Sequence, residues 1–199
     1  MKRKRCMLLL SVLVLSCALC LCACSPSAPE TSGGVSALSG SGSFRVAAEE
    51  LETSADGAIL VYEKERDVLG IRIVSSVSVG PSDWGGVAFY LPLGCSLDNV
   101  LCTYPGNGEA DAGDQPVELW TTAGENVRYA TAIEIGRSHS QVSRGGGSGT
   151  VVIEASYPCA PAERTELSAL RFGIECGAEI RNGNVIWGVE HDEIPVSLE

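Results

Sequence analysis

The sequence has few positive charges, and those it has are unevenly placed. Of the 14 Lys and Arg residues, four occupy positions 2–5, and Lys64 is the only lysine after residue 24. The other ten basic residues face 25 Asp and Glu, so residues 25–199 carry a formal charge of −15. Such an acidic chain is a poor candidate for binding nucleic acid or for adsorbing to anionic lipid through its own surface. We therefore expect no nucleic-acid partner.

A long helical period is also missing. From Phe44 onward the dominant period is two, because apolar and polar residues alternate along 69–79, 127–135, 150–157 and 170–176. This alternation is typical of antiparallel strands with one covered face. Further short strands are predicted at 58–64, 86–92, 100–104 and 116–122. The predicted fold class is all-β, a two-sheet antiparallel β-sandwich of the jelly-roll or Ig-like kind.

One hairpin is predicted together with its register. Asn182-Gly183 readily supplies the two positive-φ residues of a type I′ turn. If these two residues form the loop, the residues that face each other across the hairpin are apolar on one side. These residues also lie on the same side of the strand as the apolar residues of 170–176. The pattern therefore predicts one buried face through the turn, formed by Ile180 with Val185, Ala178 with Trp187, and Cys176 with Val189.

The one long apolar run lies at the start of the chain. Met7–Ala23 is uncharged throughout and follows the basic segment 2–5. Its last residues, Leu21-Cys22-Ala23-Cys24, resemble the lipobox of bacterial lipoproteins, with Leu at −3, Ala at −1 and then the cysteine that is lipidated. The resemblance covers only positions 1–24 and implies a signal peptide cleaved before Cys24, which carries a lipid anchor. The alternative is an uncleaved signal anchor; both place residues 25–199 outside the cytoplasm.

Three segments follow from this interpretation: a signal peptide at 1–23, a lipidated cysteine and tether at 24–42, and a sandwich ectodomain at 43–199. Residues 25–42 contain six Ser, four Gly and two Pro. Such a composition buries too little apolar surface to offset its ordering entropy, so a flexible tether is expected. The body would then lie close to a bacterial membrane, on its extracytoplasmic side.

Four cysteines lie in the body, at positions 95, 102, 159 and 176. An even number of cysteines in an exported domain favours disulfides. Proximity along the chain favours Cys95–Cys102, if Asp98-Asn99 is a hairpin loop, and Cys159–Cys176. Four buried free thiols are the alternative.

Three aromatic residues do not fit the main apolar faces. Trp84 lies in a predicted turn, and Tyr90 and Trp120 have the parity of polar neighbours. They are candidates for a ligand-binding surface, either for sugars or for a peptide. The alternative is that they pack beneath loops.

Catalytic and metal motifs are weak in this sequence. His139 has no nucleophile–base pattern beside it and is interpreted as an exposed loop histidine, and 190–193 (EHDE) as an exposed acidic segment. We expect no cofactor and no metal. The function predicted is a non-catalytic binding or scaffolding module for an envelope protein, peptide or glycan. The alternative is an envelope-polymer hydrolase with its site near His139 or His191.

The lipid anchor gives a first testable prediction. Replacing Cys24 with Ala removes the thiol that the lipobox resemblance assigns to lipidation, so the body should move to the soluble fraction or stay unprocessed. Intact-mass analysis of the wild-type protein should find a modified cysteine at the new N-terminus. A mature protein that still carries residues 2–5 would establish the signal anchor instead.

Overall fold

The computed structural model describes residues 37–106, 116–121, 128–164 and 166–198. Ten strands, one 3-10 turn (Glu49–Leu51) and one short helix, α1 (Pro161–Arg164), lie within these ranges. The strands are β1 (Leu38–Ala48), β2 (Thr53–Glu65), β3 (Val68–Val79), β4 (Val87–Pro92), β5 (Ser96–Cys102), β6 (Val117–Thr121), β7 (Tyr129–Ile135), β8 (Gly147–Pro158), β9 (Ala169–Arg181) and β10 (Asn184–Ser197).

The strands form two antiparallel sheets of five strands each. The first sheet has the order β1-β2-β3-β8-β5, and the second has the order β10-β9-β4-β7-β6. The chain crosses between the sheets after β3, β4, β5, β7 and β8, while its other connections join neighbours within a sheet. This arrangement confirms the predicted all-β two-sheet sandwich.

The core lies between the sheets and comes from the alternating apolar faces. Phe44 of β1 and Phe89 of β4 meet edge to face across it, with ring centroids 6.3 Å apart. The inward-facing apolar residues of the alternating strands are almost fully buried there: Leu69, Ile71, Ile73, Val77, Val79, Ile133, Ile135, Val151, Ile153, Ala155, Leu170, Phe172, Ile174 and Cys176. Burial of aliphatic and aromatic side chains contributes about 1.5–3 kcal/mol for each large residue. The period-two pattern therefore identified the residues that hold the sheets together.

The first strand begins earlier than expected. β1 starts at Leu38, so residues 38–42, which the sequence assigned to the tether, pair with β2. Two glycines that looked like linker residues allow β1 to lie against β10. A Cβ at Gly40 would collide with the carbonyl oxygen of Ser197, and one at Gly42 would crowd Ile194. Glycine serves close packing at this edge of the sandwich.

The Asn182-Gly183 hairpin is confirmed, but its buried face is not continuous. Both loop residues have positive φ, 53° and 78°, and Ile180 pairs with Val185 as predicted. Further along, Glu190 pairs with Cys176 instead of Val189, because the register shifts between Trp187 and Glu190.

Two glycines mark this irregularity, Gly177 with φ of 75° and Gly188 with φ of 64°. A bulge of this kind bends the strands and re-aims the side chains beyond it. Ile180 is consequently 60% exposed, and the predicted core position of Trp187 is wrong.

The four body cysteines are all free thiols, so the predicted disulfides are wrong. Cys159 follows Pro158, which pairs with Val68 at one end of β3, whereas the Sγ of Cys176 lies 3.4 Å from the carbonyl oxygen of Val46 at the other end. At about 3.3 Å per residue, these ends are roughly 30 Å apart. A Cα separation beyond about 7 Å prevents a bridge.

The pair Cys95–Cys102 fails for a related reason. Residues 96–102 form the single strand β5 along β8, not a hairpin around Asp98-Asn99. Cys95 and Cys102 therefore lie at opposite ends of one strand, about 20 Å apart at strand rise.

The apolar run 7–23 and the lipidation site Cys24 lie outside the described residues. Within the described part of the chain, no helix is both long enough and apolar enough to cross a bilayer.

The free thiols give a second prediction. Burial raises the pKa of Cys95 and of Cys176 to about 12, so at pH 8 only about one thiol in 10⁴ is the reactive thiolate. Iodoacetamide should leave both unmodified in the folded protein and alkylate both after unfolding. Half-buried Cys102 should react first. Peptide mass mapping checks this, and a Cys159–Cys176 bridge in the non-reduced map would contradict it.

Candidate functional site

Four rings lie in succession on the outer side of the second sheet, and we call them the aromatic row: Trp84, Trp187, His139 and Trp120. The two neighbouring tryptophans, Trp84 and Trp187, meet edge to face with centroids 5.0 Å apart. The His139 ring lies between Trp187, at 5.1 Å, and Trp120, at 5.0 Å. Ring pairs of this kind contribute about 0.5–1.5 kcal/mol each beyond the area they bury.

The row is assembled from distant parts of the chain. Trp84 lies in the turn before β4, Trp120 in β6, His139 just after β7, and Trp187 in β10. The bulge at Gly177 and Gly188 turns Trp187 towards this outer face. Trp120 is 48% exposed, and the side chain of His139 is 45% exposed. The row is therefore accessible to a ligand.

A buried arginine contacts both the ring of Trp187 and the turn that carries Trp84. Arg137 is 3% exposed in its side chain, and its guanidinium carbon lies 4.9 Å from the centroid of the Trp187 ring. Its Nε donates to the carbonyl oxygen of Gly85 at 2.7 Å, and its Nη1 donates to Glu134 Oε1 at 2.9 Å. Its Nη2 lies 3.5 Å from Glu175 Oε2. One side chain thus holds the turn of Trp84, the ring of Trp187 and two carboxylates.

The charges around Arg137 are mutually stabilising. Burial by itself would lower the pKa of Arg137, but the carboxylates, Glu134 first, outweigh that effect and raise it. The guanidinium is therefore charged at every relevant pH. Buried ion pairs of this kind are strongly destabilised when one partner alone is removed.

Asp83 fixes the turn that carries Trp84. Its side chain is buried and accepts hydrogen bonds from the backbone N–H groups of Gly85 at 2.7 Å, Gly86 at 3.1 Å and Ala178 at 3.2 Å. The hydroxyl of Thr53 donates to it at 2.6 Å. Charge-assisted hydrogen bonds are the strong ones. The turn is therefore tied to β2 and to β9 before any ligand arrives.

Tyr90, the third predicted ligand residue, lies apart from the row. Its hydroxyl donates to Glu175 Oε2 at 2.7 Å, and its ring packs on Tyr129 with centroids 5.3 Å apart. Burial, followed by the negative charge of Glu175, raises the pKa of Tyr90 far above its ordinary value. The structure thus connects Trp84 with Trp120 through His139 and Trp187, while Tyr90 reaches the row through Glu175 and Arg137.

His139 is oriented by a carboxylate. Its Nε2 lies 2.7 Å from Glu134 Oε2. An imidazole held in this way could act as a base, yet no hydroxyl or thiol among the described residues hydrogen-bonds to it. The flanking Ser138 and Ser140 bond to each other at 3.0 Å. The arrangement offers a base and its orienting group without a nucleophile.

A set of metal-ligand types also meets at His139. Donor atoms of Glu118, Glu134 and His139 lie within 4.8 Å of one another. Imidazole with two carboxylates suits a borderline divalent cation such as Zn²⁺. However, His139 Nε2 and both oxygens of Glu134 already have partners, so a metal would have to displace these contacts.

His191, the other histidine of the hydrolase alternative, is not part of this cluster. His191 is exposed on β10 and pairs in register with Glu175. Its neighbour Glu193 is bonded to Arg171 at 2.8 Å. Residues 190–193 therefore form part of a strand, and no metal-ligand cluster includes them among the described residues.

The supporting arginine gives a third prediction. Arg137→Met should lower the free energy of unfolding by about 3–5 kcal/mol, because the buried Glu134 carboxylate loses its partner. The double variant with Glu134→Gln should recover part of this loss. Urea denaturation measures both. Arg181→Met removes an exposed pair with Glu179 and should cost less than about 1 kcal/mol. Equal losses at positions 137 and 181 would contradict the supporting role of Arg137.

Sequence comparison identifies no relative whose function could be transferred to this site. No protein-family model matches the chain, and no curated protein shows significant sequence similarity to it. The site is therefore interpreted from its own chemistry.

Proposed function

We propose that this protein is an extracytoplasmic bacterial lipoprotein, anchored to the membrane at Cys24, whose sandwich binds an envelope ligand on the aromatic row. The observation that carries the binding role is the row itself. Four rings lie in contact on an outer face, and the ring at its end, Trp120, is 48% exposed.

Rigidity of the row supports this role. Arg137 and Asp83 hold the backbone beneath Trp84 and the ring of Trp187 through buried hydrogen bonds. A ligand that binds preorganised rings loses little free energy to ordering them. Tryptophan is also among the residue types that dominate binding energy at interfaces.

The lipobox resemblance supports the anchored location. Because β1 begins at Leu38, only the segment 25–37 separates Cys24 from the sandwich. Even fully extended, a segment of that length spans at most about 45 Å. The proposed ligand is therefore an envelope component within that distance of the membrane.

A hydrolase is the second candidate, and the contact between His139 and Glu134 at 2.7 Å favours it. A general base needs a proton to abstract from a hydroxyl, a thiol or a positioned water. Here the imidazole ring contacts Trp120 on one side and Trp187 on the other. That packing makes His139 a member of the ring surface and supports binding more strongly than catalysis.

A fourth prediction tests the binding role with a pair of neighbouring variants. Trp120→Ala should weaken capture of detergent-solubilised envelope material by the full chain more than tenfold, since truncation of a true hot spot costs about 2 kcal/mol or more. Detergent removes the membrane, so the lipid anchor does not contribute to this binding. Leu119 is 55% exposed and has the opposite parity on β6, so Leu119→Ala is the matched control and should bind as the wild type does.

Thermal midpoints of both variants should stay close to that of the wild type. Equal binding by the Trp120 and Leu119 variants would overturn the proposed site. A large loss of thermal stability in Trp120→Ala would show that the ring is structural.

A further inference from the structure

The aromatic row carries more negative than positive charge. The carboxylates of Glu118, Glu134 and Glu175 lie around it, and Arg137 is the guanidinium bonded to two of them, Glu134 and Glu175. No described residue forms a hydrogen bond or an ion pair with Glu118. The neighbouring sequence segments 107–115 and 122–127 contain no Lys, Arg or His. Glu118 thus has no lysine or arginine partner among the described residues or in these segments.

Two features place Glu118 in an unfavourable electrostatic environment. It pairs directly across the strands with Glu134, and like charges in that position destabilise a sheet. An oxygen of each carboxylate lies within 4.8 Å of the other. The whole body has a formal charge of −15, which adds to the local potential. A cation brought to Glu118 would relieve this repulsion.

Trp120 is positioned to receive the same cation. Glu118 and Trp120 alternate along β6, so both side chains project from one face of the strand. A cation over the face of an indole gains about 0.5–2 kcal/mol, and tryptophan is the best of the aromatic residues in this respect. A carboxylate next to an exposed indole therefore offers both an ion pair and a cation–π contact.

We infer that Trp120, at the end of the row, and the neighbouring Glu118 together bind a lysine or arginine side chain of a cationic peptide segment in a partner protein. The inference rests on the proposed function and names its ligand class. The ammonium or guanidinium would pair with Glu118, and the aliphatic stem would pack on the Trp120 ring. Complementarity of charge with the acidic body favours a basic peptide over a neutral glycan.

The existing contacts favour an organic cation over a metal ion. A metal bound by Glu118, Glu134 and His139 would have to break the bond of 2.7 Å between His139 and Glu134. It would also compete with Arg137, which holds the other oxygen of Glu134 at 2.9 Å. A basic side chain needs only the carboxylate of Glu118 and the exposed ring.

The position of the row favours a peptide over a lipid headgroup. The chain enters the sandwich at Leu38, level with Tyr62 and Gly70, whereas the turn of Trp84 follows Val79 at the other end of β3. At strand rise, the stretch from Gly70 to Val79 spans about 30 Å. The row therefore lies at the end of the sandwich opposite to the start of β1.

The test is a titration of the full chain in detergent with the peptide Ac-Gly-Lys-Gly-Lys-Gly-amide, followed by tryptophan fluorescence at low salt. The matched peptide carries norleucine at both lysine positions, and a third peptide carries arginine there. The lysine and arginine peptides should bind at least tenfold more tightly than the norleucine peptide. Glu118→Gln and Trp120→Leu should each weaken binding at least fivefold at an unchanged thermal midpoint.

Glu65→Gln is the matched charge control, because Glu65 is an exposed residue at the end of β2, far from the row. It should change binding less than twofold. Equal losses in the Glu65 and Glu118 variants would show diffuse attraction to the acidic body and overturn the inference. Equal binding of the norleucine peptide would overturn it as well.

Two further probes test the other occupants. Tighter binding of ZnCl₂, lost on Glu118→Gln and displacing the peptide, would identify a metal site and overturn the inference. Displacement of the peptide by phosphocholine would identify a lipid-headgroup site and overturn the inference. If envelope binding depends on Trp120 but not on Glu118, the proposed function stands and this inference fails. If it depends on neither residue, both fail.

Discussion

A buried guanidinium organises the outer face of the second sheet. Arg137 contacts a carbonyl of the turn before β4, a carboxylate on β7, a carboxylate on β9 and an indole on β10. Removing a charge from water costs several kcal/mol, so such a group stays buried only when its donors are satisfied. The same contacts bring Trp84, His139 and Trp187 to one place. The aromatic row is therefore a consequence of how one cation is accommodated.

This arrangement links the stability of the fold with the positions of the exposed rings. Glu134 bonds to Arg137 through one oxygen and to His139 through the other, so the position of the imidazole depends on the buried pair. Asp83 likewise fixes the position of Trp84, because it accepts hydrogen bonds from the backbone of the turn that carries this residue. The residues that would contact a ligand are exposed, while those that position them are buried. Variation of the exposed rings could then change the ligand without loss of the fold.

Much of the fold could be predicted from the sequence, because the period-two pattern reports directly which face of a strand is covered. The Asn182-Gly183 turn was also predictable, because its conformation depends on these two residues alone. The bulge at Gly177 and Gly188 was not predictable, and because of it Trp187 lies on the outer face of the sheet and not in the core. Gly40 was assigned to a linker because composition cannot show that β10 passes within contact distance.

The site was less accessible to prediction than the fold. A predicted turn placed Trp84, and strand parity placed Trp120, off the main apolar faces. Neither signal could show that two strands and two connecting segments bring four rings together. Arg137 carried a weak signal, a basic residue directly after Gly136 at the end of an apolar strand. Its burial depends on one acid in the preceding strand, Glu134, and on another, Glu175, that is remote along the chain. The predicted disulfides are wrong because cysteines that are close along the chain lie at opposite ends of strands.

The pairing of β1 determines how the molecule would carry a pulling force. Its first residues lie at the end where the chain enters, and it is hydrogen-bonded to β2 from Gly40 to Ala48. If the chain is anchored at Cys24 as proposed, a ligand held at the opposite end would pull along the strand axis against that anchor. The load would then act in shear on the whole β1–β2 ladder at once, not on one hydrogen bond after another. Under such a load, survival of the fold depends on the unfolding rate more than on equilibrium stability.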